Sequence, residues 1–196
     1  MRKYIAWVSS IVAVIVLVIV PLCLAALPDS MTGASVTVDY EHHEIHSGSH
    51  YVVTDYDTDV DILGPKYWHI ITPNTTKHIH LIGNFYADGA GIWELYENPT
   101  TTGNGTGLAE INSNRNSANT ATAQVFYDAT NSAAGTLLWK VYLGELVNSA
   151  NNSGGAGSRS REFVLKQNEQ YLIKFTPAAD DTLAGVELIW YEHTTP

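Results

Sequence analysis

Cysteine is nearly missing: Cys23 is the single one in 196 residues. No internal disulfide can form, which excludes a small disulfide scaffold. Basic side chains are scarce, 10 Lys and Arg against 20 Asp and Glu, for a net charge of −10. Setting aside Arg2, Lys3 and Asp29 leaves 8 basic and 19 acidic residues from position 38 onward. A body of that sign repels phosphate backbones, so nucleic acid is excluded as a partner, and the acidity resists nonspecific association. Beyond residue 26 there is no long apolar run and no helical periodicity. Catalytic motifs are missing as well: no HExxH, no GxSxG elbow, no phosphate-binding glycine loop, no GxGxxG. The glycine-rich GNGTG at 103–107 has no helix behind it to aim a dipole at a phosphate. No catalytic residue and no cofactor are indicated, and the expectation is a protein that is not an enzyme.

What is present begins with residues 4–26, YIAWVSSIVAVIVLVIVPLCLAA, which carry no charge and follow Arg2-Lys3. About 20 apolar residues suffice to cross a bilayer as one helix. Two readings stay open for residues 1–27. A cleaved signal peptide needs a basic start, an apolar stretch and a small-residue exit, here Leu24-Ala25-Ala26, with Leu24 large for its place. An uncleaved transmembrane anchor is the other reading, and in both the basic end stays in the cytoplasm. Leu22 before Cys23 argues against lipidation. The body is then exported across, or anchored in, a membrane. Residues 28–37 read as a polar linker and 38–196 as one domain, about 160 residues being enough for a sizeable core.

Strand signals fill that domain. In HIHLIGNFY (78–86), Ile79, Leu81 and Phe85 share one face, and His78, His80, Asn84 and Tyr86 the other. In TLLWKVYLG, Leu137, Trp139, Val141 and Leu143 alternate with Leu138, Lys140 and Tyr142. In YLIKFT, Tyr171, Ile173 and Phe175 oppose Leu172, Lys174 and Thr176. Val186, Leu188 and Trp190 line one face of GVELIWYEH. Further strands are expected at 51–55, 67–72, 91–97, 122–128 and 162–166. Turn-rich segments lie at 98–107, 131–135 and 177–181, and a Gly/Ser/Asn loop at 148–160. Tyr96-Glu97 leading to Gly105-Thr106 is echoed by Tyr127-Asp128 leading to Gly135-Thr136, two strand–loop–strand units of one sandwich. The expected fold is all-β, an antiparallel two-sheet sandwich of jelly-roll type behind an N-terminal hydrophobic helix.

Two clusters have metal-ligand chemistry. His42, Glu44 and His46 fall on one face if their segment is extended, with His50 near by, and His78 and His80 share a strand face. Imidazoles at i and i+2 bind zinc or nickel when a third ligand converges, although the spacing matches no zinc signature. Between subunits, on a symmetry axis, such a site is easier to complete. Asp55, Asp57, Asp59 and Asp61 alternate in DYDTDVD; spaced carboxylates can hold calcium, but the glycine and glutamate of a calcium loop are missing. The plainer account of the first cluster is a solvent-facing edge, and of the second a charged edge that discourages aggregation. No metal site is favoured. Trp68, Trp93, Trp139 and Trp190 lie in expected strands. Exposed rings would stack on sugars, but their apolar neighbours place most of them in the core.

The body also resembles a group of β-rich virion structural proteins of tailed bacteriophages, the head decoration or head fibre proteins. The resemblance rests on EHHEIHSG (41–48), ITPNTTKHIHL (71–81), WELYENPTTTGNGT (93–106), INSNRNS (111–117), REFVLKQNEQYLIKF (161–175) and LIWYEHT (188–194), in that order. The membrane-directed head departs from that group. The resemblance implies a structural role and brings no catalytic residues. The expected function is therefore a non-catalytic structural or decoration subunit on a virion, extracellular filament or cell surface. It would act by self-association, a trimer among the states that fit, or by docking to other particle or surface proteins. A secreted or membrane-anchored adhesin that binds glycans is the alternative, and a secreted hydrolase using acidic residues a distant third.

Overall fold

The structure, a computed structural model, describes residues 40–143 and 162–194. The head at 4–26, the linker and the tract at 148–160 lie outside the described residues. Among the described residues no helix is long and apolar enough to cross a membrane.

The fold is mostly β, and every strand pair is antiparallel. A front sheet is built from β1 (His50–Val60), β3 (Lys77–Ala87), β7 (Ile111–Asn112), β11 (Phe163–Leu165) and β13 (Thr182–Thr194), in the spatial order β11-β3-β13-β1-β7. A back sheet holds β2 (Lys66–Ile71), β4 (Gly91–Glu97), β6 (Thr106–Gly107), β8 (Gln124–Tyr127), β10 (Thr136–Leu143) and β12 (Gln170–Pro177), in the order β10-β4-β12-β2-β8-β6. Eight of the strands pair in a nested way: β1 with β13, β2 with β12, β3 with β11, β4 with β10.

Alternation explains the layers. Tyr51, Val53, Ile79, Leu81, Val186, Leu188 and Trp190 of the front sheet and Trp68, Ile70, Trp93, Leu95, Ile173 and Phe175 of the back sheet form one hydrophobic cluster. Rings interlock at its centre. Trp93 lies 5.5 Å from Trp68, 4.9 Å from Phe85 and 4.6 Å from Phe175, centroid to centroid, within the range in which aromatic pairs attract. The buried Trp68 indole N–H donates to Asp55 at 2.7 Å, as a buried indole requires.

The sequence echo has a structural counterpart. Asn98 and Asp128 both take positive φ, 56° and 57°, and Gly105 and Gly135 follow at 92° and 90°. Between them run β5 (Thr100–Gly103) and β9 (Thr130–Ala133), which pair with each other. The two arms lock reciprocally: a Cβ on Gly105 would stand 2.0 Å from the Tyr127 carbonyl oxygen, and one on Gly135 2.3 Å from that of Glu97. Segments expected to be plain turns thus carry short polar strands, pinned by backbone rather than by apolar burial. Thr101 donates to Gln170 at 2.9 Å, which brings the first arm against β12.

Residues 40–47 are not extended. They form the helix α1 (Tyr40–Ser47), which an alternating reading of polar residues misses. Its end is chemically defined. Gly48 takes φ 73°, its N–H bonds the Ile45 carbonyl at 3.1 Å and the Ser49 N–H that of Glu44 at 3.0 Å, the 5→2 and 6→1 bonds of a Schellman cap.

Candidate functional site

The outer face of the front sheet carries two of the expected site residues, His78 and His80, with side chains arranged in cross-strand rows. Register sets Tyr56 opposite Gly185 and Gly185 opposite Tyr86. One step along, Thr54, Glu187 and Asn84 align in the same way, and further on His50, Tyr191 and His80. Side chains two residues apart on a strand share a face, so these rows stack on one surface.

The first two rows make a slot. Tyr56 is 71% and Tyr86 40% exposed, and Gly185 between them adds no side chain to the floor. Two strand spacings put their backbones about 9.6 Å apart. The depression has a volume of about 270 Å³ and is bordered by Thr54 and Glu187. Glu187 accepts from the Asn84 amide at 2.7 Å and from the Tyr86 hydroxyl at 3.3 Å. Burial and that carboxylate push the Tyr86 hydroxyl up from its usual pKa. Flat exposed rings beside fixed hydrogen-bonding groups suit stacking on a sugar ring.

At the other end of the face, His80 stacks on the buried Tyr191 ring at 4.5 Å. Its Nδ1 bonds Glu162, which also accepts from the Tyr191 hydroxyl. His80 Nε2 lies 2.8 Å from Nε2 of His193. His78 stands opposite His193 in register. The structure thus joins His80 to His193 and Glu162, far apart in sequence and silent in any local pattern. His42 and His46 meet as well, Nε2 to Nε2 at 3.0 Å, because i and i+4 are neighbours on a helix. Glu44 does not join them. It is buried at the end of α1, where the Ser47 and Ser49 hydroxyls bond it.

The aspartates part company. Asp55 accepts from Trp68 inside the sandwich. Asp57 pairs with Lys66 at 2.9 Å, and that hydrogen bond, opposed by burial, holds its carboxyl below the usual range. Asp59 and Asp61 meet Asp181 instead, oxygens within 4.8 Å, all exposed. Asp181, at φ 57° in the turn before β13, gives no sequence sign of that meeting. Its hydrogen bond and the charge of Asp61 raise the Asp59 pKa. Exposed carboxylates of this kind are common on acidic surfaces, and the cluster carries no assignment.

Trp68, Trp93 and Trp190 are buried and Trp139 half-buried, so the exposed tyrosines, not the tryptophans, form the aromatic surface. A second cavity, about 410 Å³, lies between the sheets and is lined by Leu81, Phe85, Leu95, Trp139, Phe163 and Ile173, with Glu162 as its carboxylate. Ser113, His50 and Glu41 form a line that sequence spacing did not suggest. His50 Nδ1 lies 2.7 Å from the Ser113 hydroxyl and Nε2 3.5 Å from Glu41. Burial lowers the His50 pKa, with Glu41 opposing. Neither cavity includes these residues, and the Ser113 N–H is tied to the His50 carbonyl at 2.9 Å, which makes the contact a clasp between loop and strand. Compared with protein-family models, curated proteins and solved structures, the chain matches none.

Proposed function

We propose that this chain is a non-catalytic structural subunit, exported or anchored by its N-terminal segment and displayed on a virion, filament or cell surface. Its body is in this reading a jelly roll, the fold of many capsid and lectin domains. The nested pairing of eight strands, β1 to β4 with β13 to β10, first with last and so inward, is the observation that carries it. The front order β11-β3-β13-β1 and the back order β10-β4-β12-β2 follow from rolling such a nested hairpin into two sheets.

Self-association has a candidate edge. Among the described residues β10 pairs on one side only, with β4, and exposes Leu137, Leu138 and Tyr142. An open edge with apolar side chains is a template for a second chain. Light scattering on the purified full chain in mild detergent tests it. The expected result is an oligomer that Leu138→Lys with Tyr142→Lys dissociates; a monomer at high micromolar concentration would reject self-association. Sequencing the mature N-terminus from the native source separates export with cleavage from anchoring.

The tyrosine slot favours a second reading, a glycan-binding attachment subunit. Neutral hexose oligosaccharides fit it better than acidic ones, given Glu187 and the chain's net charge of −10. Titration of the tyrosine resonances with cello-, malto- and laminarihexaose should move Tyr56 and Tyr86, and Tyr56→Ala should abolish the shifts. Unmoved resonances with all three would remove this reading and leave the structural one standing.

A further inference from the structure

The pair formed by His80 and His193 contains a contradiction that a cation resolves. Their Nε2 atoms are 2.8 Å apart. His80 Nδ1 faces the Glu162 carboxylate, and His193 Nδ1 faces the Thr194 carbonyl oxygen at 3.0 Å. Carboxylate and carbonyl oxygens only accept, so each Nδ1 carries the hydrogen. A neutral imidazole has one N–H. With both rings neutral each turns a lone pair toward the other, and two lone pairs at hydrogen-bond distance repel unless a positive centre, a proton or a metal ion, lies between them.

We propose that this centre is a divalent transition-metal ion of the zinc class, bound by His80 Nε2 and His193 Nε2. Imidazole nitrogen suits such ions. At Zn–N distances of about 2.0–2.1 Å, tetrahedral geometry sets two ligand nitrogens about 3.3 Å apart, so the rings need part with only half an ångström. Glu162 behind His80 supplies the outer carboxylate that fixes the tautomer and raises ligand basicity. Tyr191 holds both members of that arrangement, its ring under His80 at 4.5 Å and its hydroxyl on Glu162. His78 is the third ligand. It lies opposite His193 in register, on the same face, where facing side chains start about 5 Å apart, and a turn about its χ angles brings a nitrogen to the ion. Water completes the shell. The ion ties β3 to the last residues of β13, with β11 reached through the neighbouring Glu162. The site is independent of the proposed function.

The exposed His42–His46 pair is a competing binder, so the test uses the full chain carrying His42→Ala and His46→Ala, freed of metal with EDTA and titrated with zinc sulfate against a chromophoric chelator. Binding is expected to saturate at one ion per chain in the low micromolar range. Glu162→Gln should weaken it about 10- to 100-fold at unchanged stoichiometry, His78→Ala should weaken it as well, and His80→Ala or His193→Ala should abolish it. Long-range ¹H–¹⁵N spectra of the folded chain give a second readout: both Nε2 resonances should shift on adding zinc. Nε2 resonances that zinc does not move would mean that the rings share a proton only, and would overturn the proposal. So would a zinc affinity that Glu162→Gln leaves unchanged, a variant that keeps every ring in place.

Discussion

Glu192 and Thr122 are joined twice, through the Thr122 backbone N–H at 2.8 Å and through its hydroxyl at 2.5 Å. Glu192 is 1% exposed and also accepts from the Ala123 N–H and the Trp190 indole, each at 3.1 Å. A buried carboxylate survives only when hydrogen-bonded in this way. It fastens the segment before β8 to β13. Glu192→Ala strands these donors in the core, and a loss of about 2–4 kcal/mol is expected. Urea unfolding of wild type and variant measures it, and a loss under half a kilocalorie would refute the clasp.

Lys66, whose side chain is 8% exposed, lies 2.9 Å from Asp57 and 2.6 Å from Asp128. Burial disfavours its charge, but the two carboxylates outweigh that and raise its pKa. The Asp57 pKa is lowered, chiefly by the Lys66 hydrogen bond. A group with a depressed folded pKa stabilises above its unfolded value and loses that contribution as pH falls through the folded one. Asp57→Asn should therefore flatten the fall of Tm as pH drops below the ordinary carboxylate value of 3.8, and cost Tm at neutral pH. Tm against pH for both chains is the check. Parallel curves would show that the pair has no part in acid sensitivity.

Gly105→Ala and Gly135→Ala each force a methyl group into a backbone carbonyl at a positive φ. Each should cost about 2–4 kcal/mol. Because the arms hold one another, the two losses should not add, and the double variant should fall short of their sum by more than about 0.5 kcal/mol. Additive losses in a double-mutant cycle would mean that the arms are independent.

Gly48→Ala tests the cap of α1. The residue takes φ 73°, and a Cβ there would stand 2.3 Å from the Ser117 hydroxyl. Loss of the left-handed cap should cost about 1–2 kcal/mol and loosen α1 first. Hydrogen exchange at the Gly48 and Ser49 amides should then speed up before that of β13; unchanged rates at those two amides would dismiss the cap.

How much of this was legible depended on what each residue answers to. Strands β2, β3, β4, β12 and β13 were readable because one face of each is buried, and Ile79, Leu81, Ile173, Val186 and Leu188 keep the period of two. Strands β5, β6, β7 and β9 were not, because Thr, Gly and Asn at their positions bury little and pair through backbone. The turn residues Asn98, Asp128, Gly105 and Gly135 were visible, as an echo, without the pairing they enforce. Leu172 breaks the alternation: it sits on the outer face of β12 yet is fully buried, which a local pattern cannot foresee. His69 on β2 likewise faces outward and is covered, and burial holds its pKa below the usual value. Gly48 marked the end of α1, but the polar residues before it showed no apolar stripe. The candidate sites were the least legible part. Glycine at 185 sets two tyrosines from different strands facing one another, and His193 finds His80 only through register.

The place of β13 fixes when the fold can exist. It is the last of the described strands, yet it stands in the middle of the front sheet, bonded to β1 on one side and β3 on the other. During synthesis β1 and β3 are made early, and β7 and β11 can pair only with their outer sides, so the place between them stays open until β13 emerges. The closures are nested, so the strands farthest apart in sequence meet across the longest loops, which slows folding. A growing chain of this topology cannot close its front sheet until β13 has emerged, with acidic residues keeping it dispersed in the meantime. Export, proposed above, would need the chain in that state.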